Sequence, residues 1–313
     1  MTIERRLDVV ALGEAMLEFN QVQHEPPLYL QGFGGDTSNA VIAAARAGAR
    51  TGYLTRIGQD HWGRSLLALW QSEGVDTMGV QTDPMAPTGV YFVSHDSAGH
   101  HFSYARAGSA ASRMQVNDLN GSWQECIASS QWLHVSGISL ALSANACETV
   151  LAAMRWARRN GTRVCLDSNL RLNLWTPSQA QRAMAQALPL CDLFLPSLED
   201  MAHLTGQTLA EDIVQWSHHQ GVPHVVVKLG AHGALCSQAG QRTRLSAHPV
   251  QLVDATGAGD CFAGNLLARL ATGEALTDAA RYANAAAGLS VQGRGAVAPL
   301  PRAAAVMQML GST

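Results

Sequence analysis

Lysine is almost absent from this sequence, and its scarcity limits how the protein could hold a phosphate group. Lys and Arg together number 21, yet the only lysine is Lys228. A Walker A loop requires a Gly-Lys pair, because its lysine reaches the phosphates that the glycine-rich loop surrounds. Lys228 follows a valine, so the chain contains no Walker A loop. Any nucleotide must therefore be bound in another way.

Charged residues of both signs are also few. Asp, Glu, Lys and Arg make up 14% of the 313 residues, and the net charge is −3. Such a surface lacks the positive charge that binds nucleic acid or an anionic membrane. Every apolar run is interrupted before it reaches membrane-spanning length, and the apolar stretch at 7–13 is too short for a signal peptide. We expect a cytoplasmic protein whose partners are neither nucleic acids nor membranes.

The six cysteines lack the Cys-x-x-Cys spacing that is typical of metal and redox sites. Most of them have apolar neighbours, so we expect buried free thiols. The adjacent histidine pairs lie on polar segments and do not predict a metal centre. We therefore predict no metal site made of protein side chains alone.

Strand-like and helix-like segments alternate along the chain, which favours an α/β fold around a parallel sheet. A hydrophobic content of 47% over this length is sufficient for one large core or two modest ones. The predicted strands are 8–12, 52–57, 90–95, 132–135, 163–167, 193–196, 224–229 and 234–237. The predicted helices are 39–47, 63–73, 145–159, 178–187 and 211–220. Ligands of such sheets bind beyond the carboxyl ends of the strands.

The segment from about 87 to 113 has a different pattern. Two alternating stretches, 89–95 and 101–106, flank a turn-like sequence at 96–99, which predicts a β-hairpin. The alternation indicates that one face of this hairpin is directed to water or to a ligand.

A glycine-rich motif near the carboxyl terminus carries the strongest functional signal. After a strand-like segment at 250–253, the residues Gly257, Ala258 and Gly259 precede Asp260 and an apolar, helix-like run. Free backbone N–H groups at a helix N-terminus attract an anion. A carboxylate would repel phosphate there, so we interpret Asp260 as a base that takes a proton from an attacking hydroxyl. The alternative is a tight turn and helix cap without catalytic function.

Two motifs together resemble the signatures of the ribokinase-like (PfkB) carbohydrate kinases. The first is Asp254-Ala255-Thr256-Gly257-Ala258-Gly259-Asp260, and the second is Gly34-Gly35-Asp36-Thr37-Ser38-Asn39. The resemblance implies one α/β domain over 1–313, with a mostly parallel central sheet flanked by helices. It also implies a small β-sheet lid made of segments near 14–34 and 87–113. The family often forms oligomers through this lid, and its members use ATP and Mg²⁺.

Within that family the chain is most similar to kinases of a sugar acid, 2-keto-3-deoxygluconate, and the similarity includes the segments around Arg106 and Arg171. A planar guanidinium can bind a carboxylate with two hydrogen bonds, which a neutral sugar would not require. The alternative is that each arginine is an ordinary surface residue. Tyr91 and Tyr104 are candidates to contact the sugar, or they pack together as cross-strand aromatics.

Further substrate residues come from the first signature. Gly34 and Gly35 allow close approach of the backbone to a polyol, and Asn39 offers amide hydrogen bonds at the start of a helix. Asp36 is interpreted as a helix cap at most.

The resemblance also assigns nucleotide-binding residues. In related kinases the segment containing Lys228, Gly230 and Gly233 lies along ATP, Asn284 lies near the adenine, and Asn169 reaches the phosphates. The anion-hole residues Gly257 and Gly259 belong to this site as well. Mg²⁺ would bridge the phosphates mostly through water. The family's Asn-x-x-Glu motif is replaced by Ser197 and Asp200, so no protein ligand is assigned to the metal.

The sequence therefore predicts an ATP-dependent sugar-acid kinase that phosphorylates a terminal hydroxyl, with Asp260 as the base. A kinase of a neutral sugar, such as ribose or fructose, is the main alternative. A sugar-acid sensor without catalytic activity is a second alternative, although a sensor would not need the Gly-Ala-Gly-Asp motif.

Overall fold

A computed structural model describes residues 6–23, 25–96 and 99–311 of the chain. Within these ranges the strands are β1 (Leu7–Leu12), β2 (Met16–Gln23), β3 (Leu28–Gly34), β4 (Thr51–Gly58), β5 (Val80–Asp83), β6 (Gly89–Asp96), β7 (Gly99–Ala105), β8 (Ser130–Ser136), β9 (Arg163–Asp167), β10 (Leu193–Leu195), β11 (His224–Lys228), β12 (Ala234–Gln238) and β13 (Gln241–Leu245).

Helices connect most of these strands. Over the same described ranges the α-helices are α1 (Asp36–Arg46), α2 (His61–Ser72), α3 (Gly121–Ala128), α4 (Gly137–Ala141), α5 (Ala144–Arg159), α6 (Pro177–Ala187), α7 (Leu198–Thr205), α8 (Ala210–His219), α9 (Ala258–Ala271), α10 (Leu276–Ser290) and α11 (Ala303–Gly311). None of the helices in the described part of the chain is long and apolar enough to cross a membrane.

Nine strands form the central sheet, in the order β13-β12-β11-β10-β9-β8-β1-β4-β5. The seven strands from β11 to β5 are parallel, whereas β12 and β13 continue the sheet as antiparallel strands. The N-terminal strand β1 lies inside the sheet, where Val9 is in register with Thr51 of β4 and with Trp132 of β8. This arrangement confirms the predicted α/β class and the mostly parallel central sheet.

Helices cover both faces of this sheet. Successive residues of a strand point to opposite faces, and in β1 both Val9 and Val10 are buried. Val9 belongs to an apolar cluster with Phe262 of α9, whereas Val10 belongs to a second cluster with Val150 of α5. Burial on both sides explains why the central strands are apolar without alternation.

A separate four-stranded sheet has the order β3-β2-β6-β7. Its strands come from the two segments predicted to form a lid, and β6 and β7 form the predicted hairpin. The predicted turn between them includes residues 97 and 98, which lie outside the described residues.

One predicted strand is wrong. Residues 250–253 form a loop, with Leu252 and Val253 exposed by 66% and 46%. The Val253 N–H donates to the carbonyl of Val291, beyond the end of α10, so this backbone is held by a loop contact instead of by a neighbouring strand. Two strands without a recognised signal, β5 and β13, lie at the edges of the central sheet.

Candidate active site

A cavity of about 940 Å³ opens beyond the carboxyl ends of the central strands. This is the position at which parallel α/β sheets bind their ligands. Its volume lies at the upper end of the range for small-molecule sites, which is sufficient for two substrates side by side. The predicted site residues that line it are Gly35, Asn39, Tyr91, Tyr104, Arg106, Asn169, Arg171, Lys228, Gly257, Ala258, Gly259 and Asp260.

Asp260 lies in the first turn of α9, three residues after the N-cap Gly257. Close packing of α9 on α1 brings it to Asn39, whose Nδ2 donates to Asp260 Oδ2 at 2.8 Å. Gly264 permits this packing, because a Cβ there would lie 2.0 Å from the carbonyl oxygen of Ala40. Asn39 and Asp260, which belong to the two signature motifs and are distant in the sequence, are thus hydrogen-bonded to each other.

The environment of Asp260 suits a base that works near neutral pH. Burial in the cavity floor and the negative charges of Asp36 and Asp167 raise its pKa to about 7, against the lowering effects of the Asn39 hydrogen bond and of Lys228. A carboxylate with such a pKa accepts a proton far more readily than an ordinary aspartate.

The N-terminus of α9 offers free donors beside Asp260. Over the described residues, no acceptor is paired with the N–H of Gly257, Gly259 or Asp260, whereas the Ala258 N–H donates to the Ala255 carbonyl at 3.2 Å. Of the three N–H groups predicted to form the anion hole, those of Gly257 and Gly259 are therefore available to a ligand, whereas that of Ala258 is already hydrogen-bonded. Asp254 shapes the preceding turn, because its carboxylate accepts hydrogen bonds from the N–H groups of Thr256 and Gly295.

Lys228 lies at the end of β11 and forms an ion pair with Asp167 at the end of β9. Its Nζ is 2.7 and 2.6 Å from the two carboxylate oxygens. Burial alone would lower the pKa of Lys228, but the charge of Asp167 raises it. The ammonium lies close to the anion hole, since a Cβ on Gly259 would be 3.3 Å from Nζ.

The two candidate arginines have different environments. Arg106 forms an ion pair with Glu14, which is 1% exposed and also accepts a hydrogen bond from the Ser109 hydroxyl. Arg171 is exposed to the cavity, and its guanidinium donates to the carbonyl of Leu170 and to no other described residue. Of the ion pairs among the described residues, none involves Arg171, so its charge is not compensated by a carboxylate.

The two tyrosines stack in the second sheet, with ring centroids 5.9 Å apart. The Tyr91 hydroxyl donates to the buried carboxylate of Glu18, so it can offer a substrate only its acceptor capacity. Gly34 does not reach the cavity lining, because the Tyr91 ring covers it. A Cβ on Gly34 would lie 2.3 Å from the Tyr91 hydroxyl. Gly34 thus makes room for the ring.

Three predicted nucleotide residues also lie away from the cavity lining. Gly230 is in an exposed 3-10 turn, and Gly233 packs against β13, where a Cβ would lie 1.9 Å from the Leu245 carbonyl oxygen. Asn284 on α10 donates to the carbonyl of Ser246 at 2.8 Å. Their proximity to a nucleotide stays a prediction.

Sequence reasoning left the carboxylates Asp36, Asp167 and Glu199 without a role in the site. Asp36 and Glu199 line the cavity, and Asp167 pairs with Lys228. The signal for Asp167 was its place at the end of a buried strand. Asp200 also lines the cavity and accepts a hydrogen bond from Ser168, but over the described residues no cluster of three metal-ligating side chains forms.

Comparisons with known proteins agree with this geometry. The chain is 33% identical over 302 residues to 2-dehydro-3-deoxygluconokinase of Escherichia coli, covering 93% of this chain and 97% of that protein. It is 35% identical to the enzyme of the same name from Thermoproteus tenax, covering 95% of this chain and 92% of that one. A fructokinase from Vibrio cholerae, solved with fructose, ADP and calcium bound, superimposes with a TM-score of 0.87 at 30% identity, covering 99% and 100% of the two chains.

The family match covers residues 6–303, which includes both signature motifs, the second sheet and the cavity. The chain belongs to the pfkB family of carbohydrate kinases and is a kinase with the ribokinase-like fold.

Proposed function

We propose that the protein transfers the γ-phosphoryl group of ATP to the terminal hydroxyl of 2-keto-3-deoxygluconate, forming 2-keto-3-deoxy-6-phosphogluconate and ADP. The observation that carries this proposal is one cavity containing a carboxylate of raised pKa, helix N–H groups and a guanidinium that forms no ion pair with any described residue. The 2-dehydro-3-deoxygluconokinases among the relatives act on this sugar acid according to their names.

Asp260 acts as the base in this mechanism. It removes the proton from the terminal hydroxyl as the oxygen attacks the γ-phosphorus, and the bond from that phosphorus to the bridging oxygen of ADP breaks. The free N–H groups of Gly257 and Gly259 stabilise the negative charge on the phosphoryl oxygens. Lys228 adds a positive charge behind the same N-terminus.

Mg²⁺ is the expected cation for the nucleotide phosphates, and it would neutralise part of their charge during transfer. The chemistry of the cavity wall fits such an ion, because Glu199 and Asp200 line the cavity with carboxylate oxygens. These residues could hold it directly or through water.

Arg171 is the residue that we assign to the carboxylate of the sugar acid. Among the described residues Arg171 forms no ion pair, so its charge is available to the substrate, whereas Arg106 must share its guanidinium with Glu14. Arg106 still lines the cavity and has donors to spare, so it acts as the second, weaker contact. Tyr104 and Tyr91 cover the sugar from the second sheet and exclude water from the transfer.

A coupled ADP-release assay with Mg²⁺ across 2-keto-3-deoxygluconate, gluconate, fructose, ribose and adenosine tests the proposal. Dominant turnover of 2-keto-3-deoxygluconate is the expected result. Preference for fructose or ribose would overturn the sugar-acid assignment, and binding of sugar acid without turnover on any acceptor would indicate a sensor.

The role of Arg171 has its own test. Arg171→Ala should raise KM for 2-keto-3-deoxygluconate by about 10- to 100-fold, the usual loss for charge-assisted hydrogen bonds, with a small change in kcat. Arg182→Ala, at an exposed arginine on α6 outside the cavity lining, is the matched control. Equal KM values for the two variants would contradict the assignment.

A further inference from the structure

The ion pair of Glu14 and Arg106 joins two points at which the chain crosses between the central sheet and the second sheet. Glu14 lies between β1 of the central sheet and β2 of the second sheet, and Arg106 follows directly after β7. In the second sheet β6 lies between β2 and β7, and it begins with Gly89. A Cβ on Gly89 would lie 3.0 Å from Glu14 Oε1 and 3.6 Å from the Cβ of Arg106, so this glycine leaves room for the pair.

The carboxylate of Glu14 has a fixed position in the protein. The side chain has no exposed surface, and its Oε1 accepts a hydrogen bond from the buried Ser109 hydroxyl. The backbone carbonyl of Glu14 packs against Gly35, where a Cβ would lie 2.4 Å from the carbonyl oxygen. Because Gly35 lines the cavity, Glu14 is fixed relative to the cavity without lining it.

Arg106 contacts Glu14 and also reaches the cavity. Its side chain is 10% exposed and lines the cavity, and its Cζ lies 5.8 Å from the centroid of the Tyr104 ring. A guanidinium carries five N–H donors in one plane. A carboxylate on one side of the group therefore fixes this plane and leaves donors on the other side for a ligand.

Stability does not account for a charged residue at position 14. Burial raises the pKa of Glu14, whereas the charge of Arg106 and the hydrogen bond from Ser109 act to lower it. A buried ion pair is often no more stable than apolar residues of the same size, because the removal of two charges from water offsets their attraction. The effect of Glu14 on the orientation of Arg106 gives a better explanation of its charge.

We propose that Glu14 is a positioning residue, whose buried carboxylate holds the Arg106 guanidinium in the orientation in which its remaining N–H groups bind the carboxylate of the acceptor. This assignment rests on the proposed function as a sugar-acid kinase. Glu14 does not touch the substrate in this arrangement. Its effect on the reaction passes through Arg106 and is confined to acceptors that carry a carboxylate.

Glu14→Gln tests the proposal, because it keeps the side-chain shape and an acceptor for Ser109 but removes the charge that holds Arg106. Wild type and variant are assayed with 2-keto-3-deoxygluconate and with an analogue in which a hydroxymethyl group replaces the carboxylate. For the acid, KM should rise by about tenfold with little change in kcat, the lower end of the effect of a hydrogen bond to a charged group, since the contact is misaligned and not removed. For the analogue, KM and kcat should equal the wild-type values.

Glu73→Gln is the matched control. Glu73 forms an ion pair with Arg46 in which the two side chains are 10% and 11% exposed, and neither residue lines the cavity. The control should leave KM for both acceptors unchanged, and thermal unfolding of each variant reports any loss of the fold. If Glu14→Gln does not fold, Ser109→Ala removes only the hydroxyl that donates to Glu14, and it should raise KM for the acid alone by about threefold.

The two acceptors separate the possible outcomes. An equal rise in KM for both would show a merely structural role and overturn the proposal. An unchanged KM for the acid would also overturn it, as would a lower KM, which would show that Glu14 competes with the substrate for Arg106. A wild-type enzyme with equal kcat/KM for both acceptors would refute the sugar-acid function itself, whereas a wild-type preference for the acid that persists in Glu14→Gln would refute the positioning role alone.

Discussion

Replacement of Asp260 by asparagine is the sharpest test of the mechanism, because it removes the base and keeps the side-chain shape. The substituted side chain can still accept a hydrogen bond from Asn39 through its amide oxygen, so the contact between α1 and α9 is preserved. Substrate affinity should change little. The variant loses a charged acceptor for the substrate hydroxyl, but it also loses a negative charge that repels the sugar carboxylate. The loss should therefore appear in kcat.

The magnitude follows from the base and its pKa. A positioned general base contributes about 10²- to 10⁴-fold, so kcat of Asp260→Asn should fall by at least about 100-fold. With a pKa of about 7, the wild-type base is mostly ionised at pH 8 and mostly protonated at pH 6. The wild-type kcat/KM should then fall by about tenfold between these two pH values.

The assay is steady-state ADP release from pH 5.5 to 9, with Asp212→Asn as the acid-to-amide control at an exposed position on α8. The control should reproduce the wild-type profile. The residual activity of Asp260→Asn should show no inflection near pH 7. Near-wild-type turnover, or an inflection that persists in the variant, would refute the assignment of Asp260 as the base.

Three further outcomes are expected. Because folding raises the pKa of Asp260, the contribution of this residue to stability falls as pH rises from about 4 to 7. Relative to wild type, Asp260→Asn should therefore be more stable at pH 8 by up to about 4 kcal/mol in urea unfolding, with no gain near pH 4. Gly233→Ala should destabilise the protein more than Gly240→Ala, since both glycines have positive φ but only Gly233 faces a backbone oxygen, that of Leu245; equal urea midpoints would contradict this. In a native thiol titration, the half-buried Cys147 should react before the five buried cysteines; faster reaction of another cysteine would argue against the described burial.

The central sheet was predictable wherever burial on both faces leaves an apolar strand. The predicted range of β9 equals the observed one, and β1 and β11 differ by a single residue at one end. The edge strand β13 was missed because its residues Gln241–Leu245 are mostly polar and exposed. The strand at 250–253 was predicted wrongly for the opposite reason. Its residues include apolar side chains, as in a strand, but they lie in an exposed loop beside the cavity.

The site was predictable where a motif places its residues along one turn, as in Asp260 and its preceding glycines. Contacts between distant segments were not. Glu14 and Arg106 are far apart in the chain, and nothing local indicates that their charges meet. The same holds for Asp36, whose partner Asn169 has a positive φ of 23° after the end of β9.

The central position of β1 has a consequence for synthesis of the chain. Its partner β4 follows soon afterwards, but its second partner, β8, begins only at Ser130. Until then one edge of β1 has no neighbour in the sheet, and an apolar strand edge is prone to pair with other chains. Because α9 carries the proposed base and the proposed anion hole, this cavity is completed only after most of the chain has been synthesised. Ligands that bind this cavity can therefore stabilise only the completed fold.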